Sequence, residues 1–312
     1  MAGITHAQIE PTTRCNFTCG FCAGRAMAQG DLDWNDFTRF LDIHPDLAHV
    51  ELQGEGEPML HPRFFDMVDA CRARGIRVGL ITNGSLLGEE RVARLLGAGL
   101  TSIHVSMESS DPGQFEAIRG GRFAKVCEGL VRLIDSRRAL GLEQPVIGLA
   151  VTVLRDTLAA VDGICRLYDA LGLDGGIVAQ PLQTMPAYRR HYRAGIAAQM
   201  LPASLMPHFA ELRRTLARRA PVRRTEDFFY FSLFAGFDGS SCPWLERGAY
   251  LAQDGRVTGC CFMKDDALGP LTAPDAVAAR RAALRAALNA GEVPDACRGC
   301  STAAAVAVRH RP

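Results

Sequence analysis

Strand-like and helix-like stretches alternate six times in the first 180 residues of this 312-residue chain. Ala7–Pro11, His49–Gln53, Arg77–Ile81, Ser102–Met107, Val146–Val153 and Gly176–Gln180 read as strands. Between them, Trp34–Ile43, Arg63–Arg74, Gly88–Leu96, Arg122–Leu140 and Leu158–Leu171 carry helical patterns, with Phe64, Phe65, Met67, Val68 and Cys71 at helical spacing. Gly75, Gly99 and Gly172 follow these helices as C-terminal caps do. Strands joined by helical crossovers must run parallel. Six such units fall short of the eight that close a full barrel. The expected fold is therefore α/β, a partial (β/α)6 TIM-like barrel whose functional loops lie at the C-terminal ends of the strands.

After Gln180 the pattern changes. Met185–Ala220 is Arg-rich and reads as helical, and Thr225–Phe237 holds five Phe and one Tyr. From Ser240 onward the signals are Cys, Gly and turns. Gln253-Asp254-Gly255 marks a hairpin turn between Ala249–Leu251 and Arg256–Val257, and Asp275–Asn289 reads as a polar helix. We expect a barrel over 1–185, a helical and aromatic connecting region over 186–239, and a small Cys-bearing domain over 240–312.

Composition narrows the function. A hydrophobic fraction of 48% with 22% charged residues is that of a globular chain with a full core. The net charge of +1 gives no support to a nucleic-acid surface. The most apolar stretch, Val146–Leu154, is far short of the roughly 20 residues of a membrane span, and Met1–Glu10 has no apolar export signal. The expected setting is cytoplasmic, without membrane or nucleic-acid partners. Eleven Cys, an odd number, then point to metal or redox chemistry rather than disulfides.

Two cysteine sets carry that chemistry. Cys15-Asn16-Phe17-Thr18-Cys19-Gly20-Phe21-Cys22 reads C-x3-C-x2-C directly after the first strand. Three thiolates on one tight loop can hold an iron–sulfur cluster and leave one iron open. The plainer readings are three of four zinc ligands or buried Cys, but zinc sites usually pair close C-x2–4-C arms. The second set is Cys242, Cys260, Cys297 and Cys300, in the pattern C-x12-G-x4-C followed by C-x2-C. Taken in isolation, this set favours a structural zinc site with four thiolate ligands.

The first loop, with Phe21 before its last Cys, resembles the signature of the radical S-adenosylmethionine (radical SAM) superfamily. The resemblance implies a 4Fe-4S cluster on Cys15, Cys19 and Cys22, whose open iron binds SAM. It also implies reductive cleavage of SAM to a 5′-deoxyadenosyl radical, with electrons from a flavodoxin- or ferredoxin-type donor. Gln53-Gly54-Glu55-Gly56-Glu57-Pro58 resembles the family's SAM-amino-binding GGE motif, departing from it at Glu55, where many members have Gly. By the same resemblance Phe21, Gly54, Glu55, Gly56, Glu57, Asn83, Ser106, Glu108 and Arg119 contact SAM. Beside such a barrel, the second set is similar to the SPASM/twitch extension. With only Cys261 between its two pairs, it matches the shorter twitch form, carrying one auxiliary 4Fe-4S cluster on Cys242, Cys260, Cys297 and Cys300.

Cys71, Cys127 and Cys165 read as core residues. Cys261 reads as a packed hairpin Cys or as a hydrogen-atom donor. The resemblance, with its auxiliary cluster, implies oxidation of a small polar metabolite or a peptide, by dehydrogenation or crosslinking. The alternative is redox-neutral epimerisation with Cys261 as the donor. A start close to the first strand leaves no room for a peptide-recognition domain and favours the small molecule. A non-catalytic zinc or iron–sulfur protein, structural or regulatory, is the remote alternative.

Overall fold

The computed structural model describes residues 3–311; Met1, Ala2 and Pro312, at the ends of the first and last expected segments, lie outside the described residues. Six strands run parallel and in chain order: β1 (His6–Ile9), β2 (His49–Leu52), β3 (Arg77–Thr82), β4 (Ser102–Ser106), β5 (Val146–Val153) and β6 (Ile177–Pro181). Between them cross α1 (Trp34–Ile43), α2 (Phe64–Arg72), α3 (Glu89–Gly97), α4 (Pro112–Arg119), α5 (Phe123–Ala139) and α6 (Val161–Leu171). The largely parallel α/β architecture is the one expected from the alternation. Gly75, Gly99 and Gly172 take φ of 71°, 68° and 63°, the left-handed conformation that ends a helix without a Cβ penalty. The sequence reading lacked α4, although Asp111 caps it through the backbone N–H of Gln114 and Pro112 opens it.

Alternate strand positions divide into an apolar and a polar set, and both are buried. Ala7, Ile9, Val50, Leu52, Val78, Leu80, Ile103 and Val105 join Phe37, Phe40, Met67, Val68 and Leu95 of the helices in one core. The opposite face holds His6, Gln8, Glu10, His49, Glu51, Ser102 and His104, all buried. Gln8, Glu51, Gly79 and Ser102 are neighbours in register across β1–β4. Gly79 lies against the Glu51 carboxyl, where a Cβ would collide with it.

The sheet extends instead of closing. The free edge of β1 pairs in parallel with β7 (Gly248–Leu251), His6 opposite Gly248. Antiparallel β8 (Arg256–Thr258) and β9 (Ala267–Pro270) follow, giving a nine-stranded sheet. Gly255 turns the β7–β8 hairpin at φ 76°. The aromatic segment covers the polar face. Phe228 lies 4.1 Å from the His104 ring, Phe229 packs edge-on against His6 and His49, and His6 Nε2 is 2.8 Å from Ser232 Oγ. Met185–Ala220 is not one helix. It breaks into Pro186–Arg189, two 3-10 turns and Met206–Arg219, because Gly195 is left-handed at φ 88° and Pro202 bars a helical residue before it.

Candidate active site

The loop after β1 is tied down at both ends before it presents its thiols. Thr12 and Thr13 donate their hydroxyls to Gly30 O (2.9 Å) and Ala28 O (2.8 Å), and Arg25 donates to Thr13 O (2.8 Å). Further along, Thr18 N–H donates to Arg119 O (2.9 Å). The Phe17 ring covers Gly121, where a Cβ would overlap it, and meets Phe115 edge-on. The paired glycines after Arg119 are thus a landing place for the cysteine loop.

The three thiols face a cleft of about 1020 Å³, counting the space open to solvent, at the C-terminal ends of the strands. Cys15, Cys19, Phe21, Cys22, Gly54, Glu55, Gly56, Glu57, Asn83, Ser106, Arg119 and Cys261 all line it. Among the described residues, no three His, Cys, Asp or Glu side chains converge closely enough to hold one ion. The donor set itself suits a cluster: three thiols, with Cys15 Sγ accepting from Phe17 N–H (3.4 Å) and Asn83 Nδ2 (3.7 Å). Burial raises the Cys19 thiol to about 11 and, with the Glu55 carboxylate beside it, pushes Cys22 well above its usual value. Ligation must therefore displace protons.

The acids divide their work. Glu57 accepts from Thr82 Oγ1 (2.8 Å) and Asn83 N–H (2.7 Å), which fixes the end of β3; burial raises its pKa. Glu55 accepts from Tyr188 OH (3.1 Å to each oxygen) and pairs with Lys264 Nζ at 2.9 Å. Burial works to raise Glu55, but the Lys264 ammonium and the hydrogen bonds from Lys264, Cys22 and Tyr188 together make the net shift downward. Glu108 does not line the cleft. It is fully buried and grips Arg119 through both oxygens, with Arg119 Nη2 donating at 2.9 Å. Burial opposes the Arg119 charge and Glu108 overrides it, so the guanidinium stays charged.

The second cysteine set lies in two apolar clusters. Cys242 and Cys260 pack around Phe229, Trp244 and Tyr250, and Cys242, Cys297 and Cys300 pack around Leu245, Leu288 and Val306. Burial raises Cys242, Cys260 and Cys297, and in each a neighbouring thiol of the set raises it further. Cys242 belongs to both clusters and so links the four thiols, whose apolar surroundings suit a closed thiolate site.

The sequence reading missed part of the lining. Gln8, Gln53, Thr152, Gln180, Gln183, Tyr188, Tyr192, Tyr230 and Phe262 also face the cleft. Thr152 and Gln180 lie near strand C-termini, as Asn83 and Ser106 do, and that position is a signal for them. Tyr230 donates to Gln53 Oε1 (2.6 Å) and Gln8 Oε1 (2.9 Å), a contact no local pattern announces.

Residues 9–162 match the family model of the Radical SAM superfamily. The chain belongs to that superfamily, whose membership supports SAM and one 4Fe-4S cluster as cofactors. A tungsten-containing aldehyde ferredoxin oxidoreductase cofactor-modifying protein of Pyrococcus furiosus is 32% identical over 189 residues, which cover 59% of this chain and 53% of that protein. The chain thus spans about half the length of that curated relative. Two solved structures share the fold. Streptococcus suis SuiB bound to precursor peptide SuiA superposes with a TM-score of 0.66 at 15% identity, covering 86% of this chain and 63% of that one. The protein anSMEcpe with bound AdoMet gives 0.68 at 17% identity, covering 97% and 88%. No helix among the described residues is long and apolar enough to cross a membrane.

Proposed function

We propose that this chain is a radical SAM enzyme of the twitch type that oxidises a small polar metabolite or a peptide, by dehydrogenation or crosslinking. One observation carries the reading: a single cleft is lined at once by the Cys15–Cys22 thiols, the Gly54–Glu57 turn, Asn83, Ser106 and Arg119, and by Cys261 of the second cysteine segment. When bound, the cluster and SAM supply a 5′-deoxyadenosyl radical that takes hydrogen from a substrate carbon. Cys15, Cys19 and Cys22 would hold that cluster, and Cys242, Cys260, Cys297 and Cys300 an auxiliary one able to accept an electron.

The chain's own residues orient and enclose. Glu57 fixes Asn83, Glu108 keeps Arg119 charged beside the cleft, and Phe21, Tyr188, Tyr192 and Phe262 narrow the space open to water. Gln8, Gln53, Gln180 and Gln183 offer amides that suit a polar substrate. A flavodoxin- or ferredoxin-type protein would supply electrons.

A second reading, redox-neutral epimerisation, is favoured by Cys261. It lines the cleft, and burial raises its thiol to about 12, which keeps the S–H that a hydrogen-atom donor needs. Anaerobic reconstitution tests the common core. About eight irons per chain and 5′-deoxyadenosine formed from SAM under a reductant are expected. Bound zinc without iron would reject both readings. Turnover in deuterated water separates them, since solvent deuterium at the reacting carbon marks epimerisation.

A further inference from the structure

Nearly all basic residues of this chain are Arg; Lys occurs only at Lys125 and Lys264. Lys264 is also buried, with 5% of its side chain exposed. Its ammonium sits 2.9 Å from Glu55 Oε1 and 3.2 Å from Tyr250 OH, 4.7 Å from the Tyr250 ring centre. Glu10 lies close enough to add a second attraction, and together these acids raise the Lys264 pKa against the effect of burial. An ammonium withdrawn from water persists only where partners replace its hydration. A compact point charge, not a planar guanidinium, meets a carboxylate and a phenol in so small a space.

Glu55 is the reason that the charge is needed. Its Oε2 lies 3.3 Å from Cys22 Sγ, and its backbone oxygen lies 3.2 Å from the same sulfur. Its backbone N–H donates to Glu10 Oε1 at 2.7 Å, and Gly24, two residues past Cys22, packs directly on it. An uncompensated carboxylate here would oppose any negative charge gathered on the three thiolates. Lys264 follows Cys260 and Cys261 on the same loop, so the compensating charge comes from the second cysteine segment.

We propose that Lys264 is a positioning residue for SAM binding: it neutralises and orients Glu55 beside Cys22, so that the C-terminal cysteine segment conditions the N-terminal cofactor loop. The inference rests on the SAM-binding role proposed for Cys15, Cys19 and Cys22. The test compares full-length wild type, K264M, E55Q and K264M/E55Q after anaerobic reconstitution, titrating each with SAM and following the reduced-state EPR spectrum, with iron per chain measured alongside. K264M should weaken SAM binding by roughly tenfold or more, because one member of a buried pair is left alone. Adding E55Q should recover part of the binding that K264M loses, because the lone charge is gone. Should K264M alone fail to fold, the double variant should still fold and bind. Wild-type affinity in K264M, or a double variant no better than K264M, overturns the positioning role. A wild type whose spectrum ignores SAM overturns the functional reading instead, and this inference with it.

Discussion

Cys15, Cys19 and Cys22 share one short loop and front a polar cleft, whereas Cys242, Cys260, Cys297 and Cys300 are gathered from three stretches into apolar surroundings. The first arrangement leaves space at the thiols for a small molecule; the second surrounds its thiols with Trp244, Leu245, Leu288 and Val306. A site meant to react needs access, and a site meant to store or pass an electron gains from exclusion of water. Cys261 belongs to both regions, being next to Cys260 in sequence and on the wall of the cleft in space.

The contrast can be broken by substitution. Replacing Cys15, Cys19 and Cys22 together by Ala should abolish 5′-deoxyadenosine formation and halve the iron, since the loop has no spare ligand; surviving cleavage would end the assignment. Cys300→Ala should lower product formation more than tenfold, while SAM cleavage stays within a few-fold of wild type. Equal loss of both in a folded variant would make the C-terminal site merely structural.

Substitution away from the thiols sharpens the contrast. Glu51→Gln, under the cleft and outside both regions, should change stability but not cofactor loading. Both Glu51 oxygens lack hydrogen-bond partners among the described residues, and burial raises its pKa well above the usual value. Folding thus disfavours its ionised form, and the wild type loses stability as pH rises from about 4.5 towards the folded-state pKa. Glu51→Gln escapes that loss. Its advantage in thermal melting should grow as pH rises above about 4.5 and vanish by pH 4. Gly121→Ala should push Phe17 away and cost about 1–3 kcal/mol of loop stability. It should weaken SAM binding while C-terminal iron is retained, and unchanged SAM affinity would refute the landing-place role. The smallest effect belongs to Cys261→Ala, which should keep product formation if oxidation is the outcome. Loss of solvent deuterium from the product in that variant would establish epimerisation.

What could be read without coordinates follows a physical divide. Parallel strands joined by helices place all strand C-termini on one edge, so Asn83, Ser106 and the Gly54–Glu57 turn were legible as neighbours of the cysteine loop. Tyr188, Tyr230 and Lys264 come from outside the strand–helix repeat, and each reaches its partner across more than 100 residues. Lys264 alone left a trace, as one of two lysines in an arginine-rich chain. Glu108, which the family resemblance names as a SAM contact, is buried and holds Arg119, a partnership that sequence spacing does not announce.

The pairing of β1 with β7 has a consequence in time. His6 finds Gly248 only once β7 has been made, long after β1. Until then β1 is an edge strand whose unpaired backbone groups are open to other chains. Closing so long a loop is slow, and non-local strand pairing is the aggregation-exposed phase of folding. A chain stopped after β6 should therefore be prone to self-association, and synthesis of the final hairpin should end that exposure.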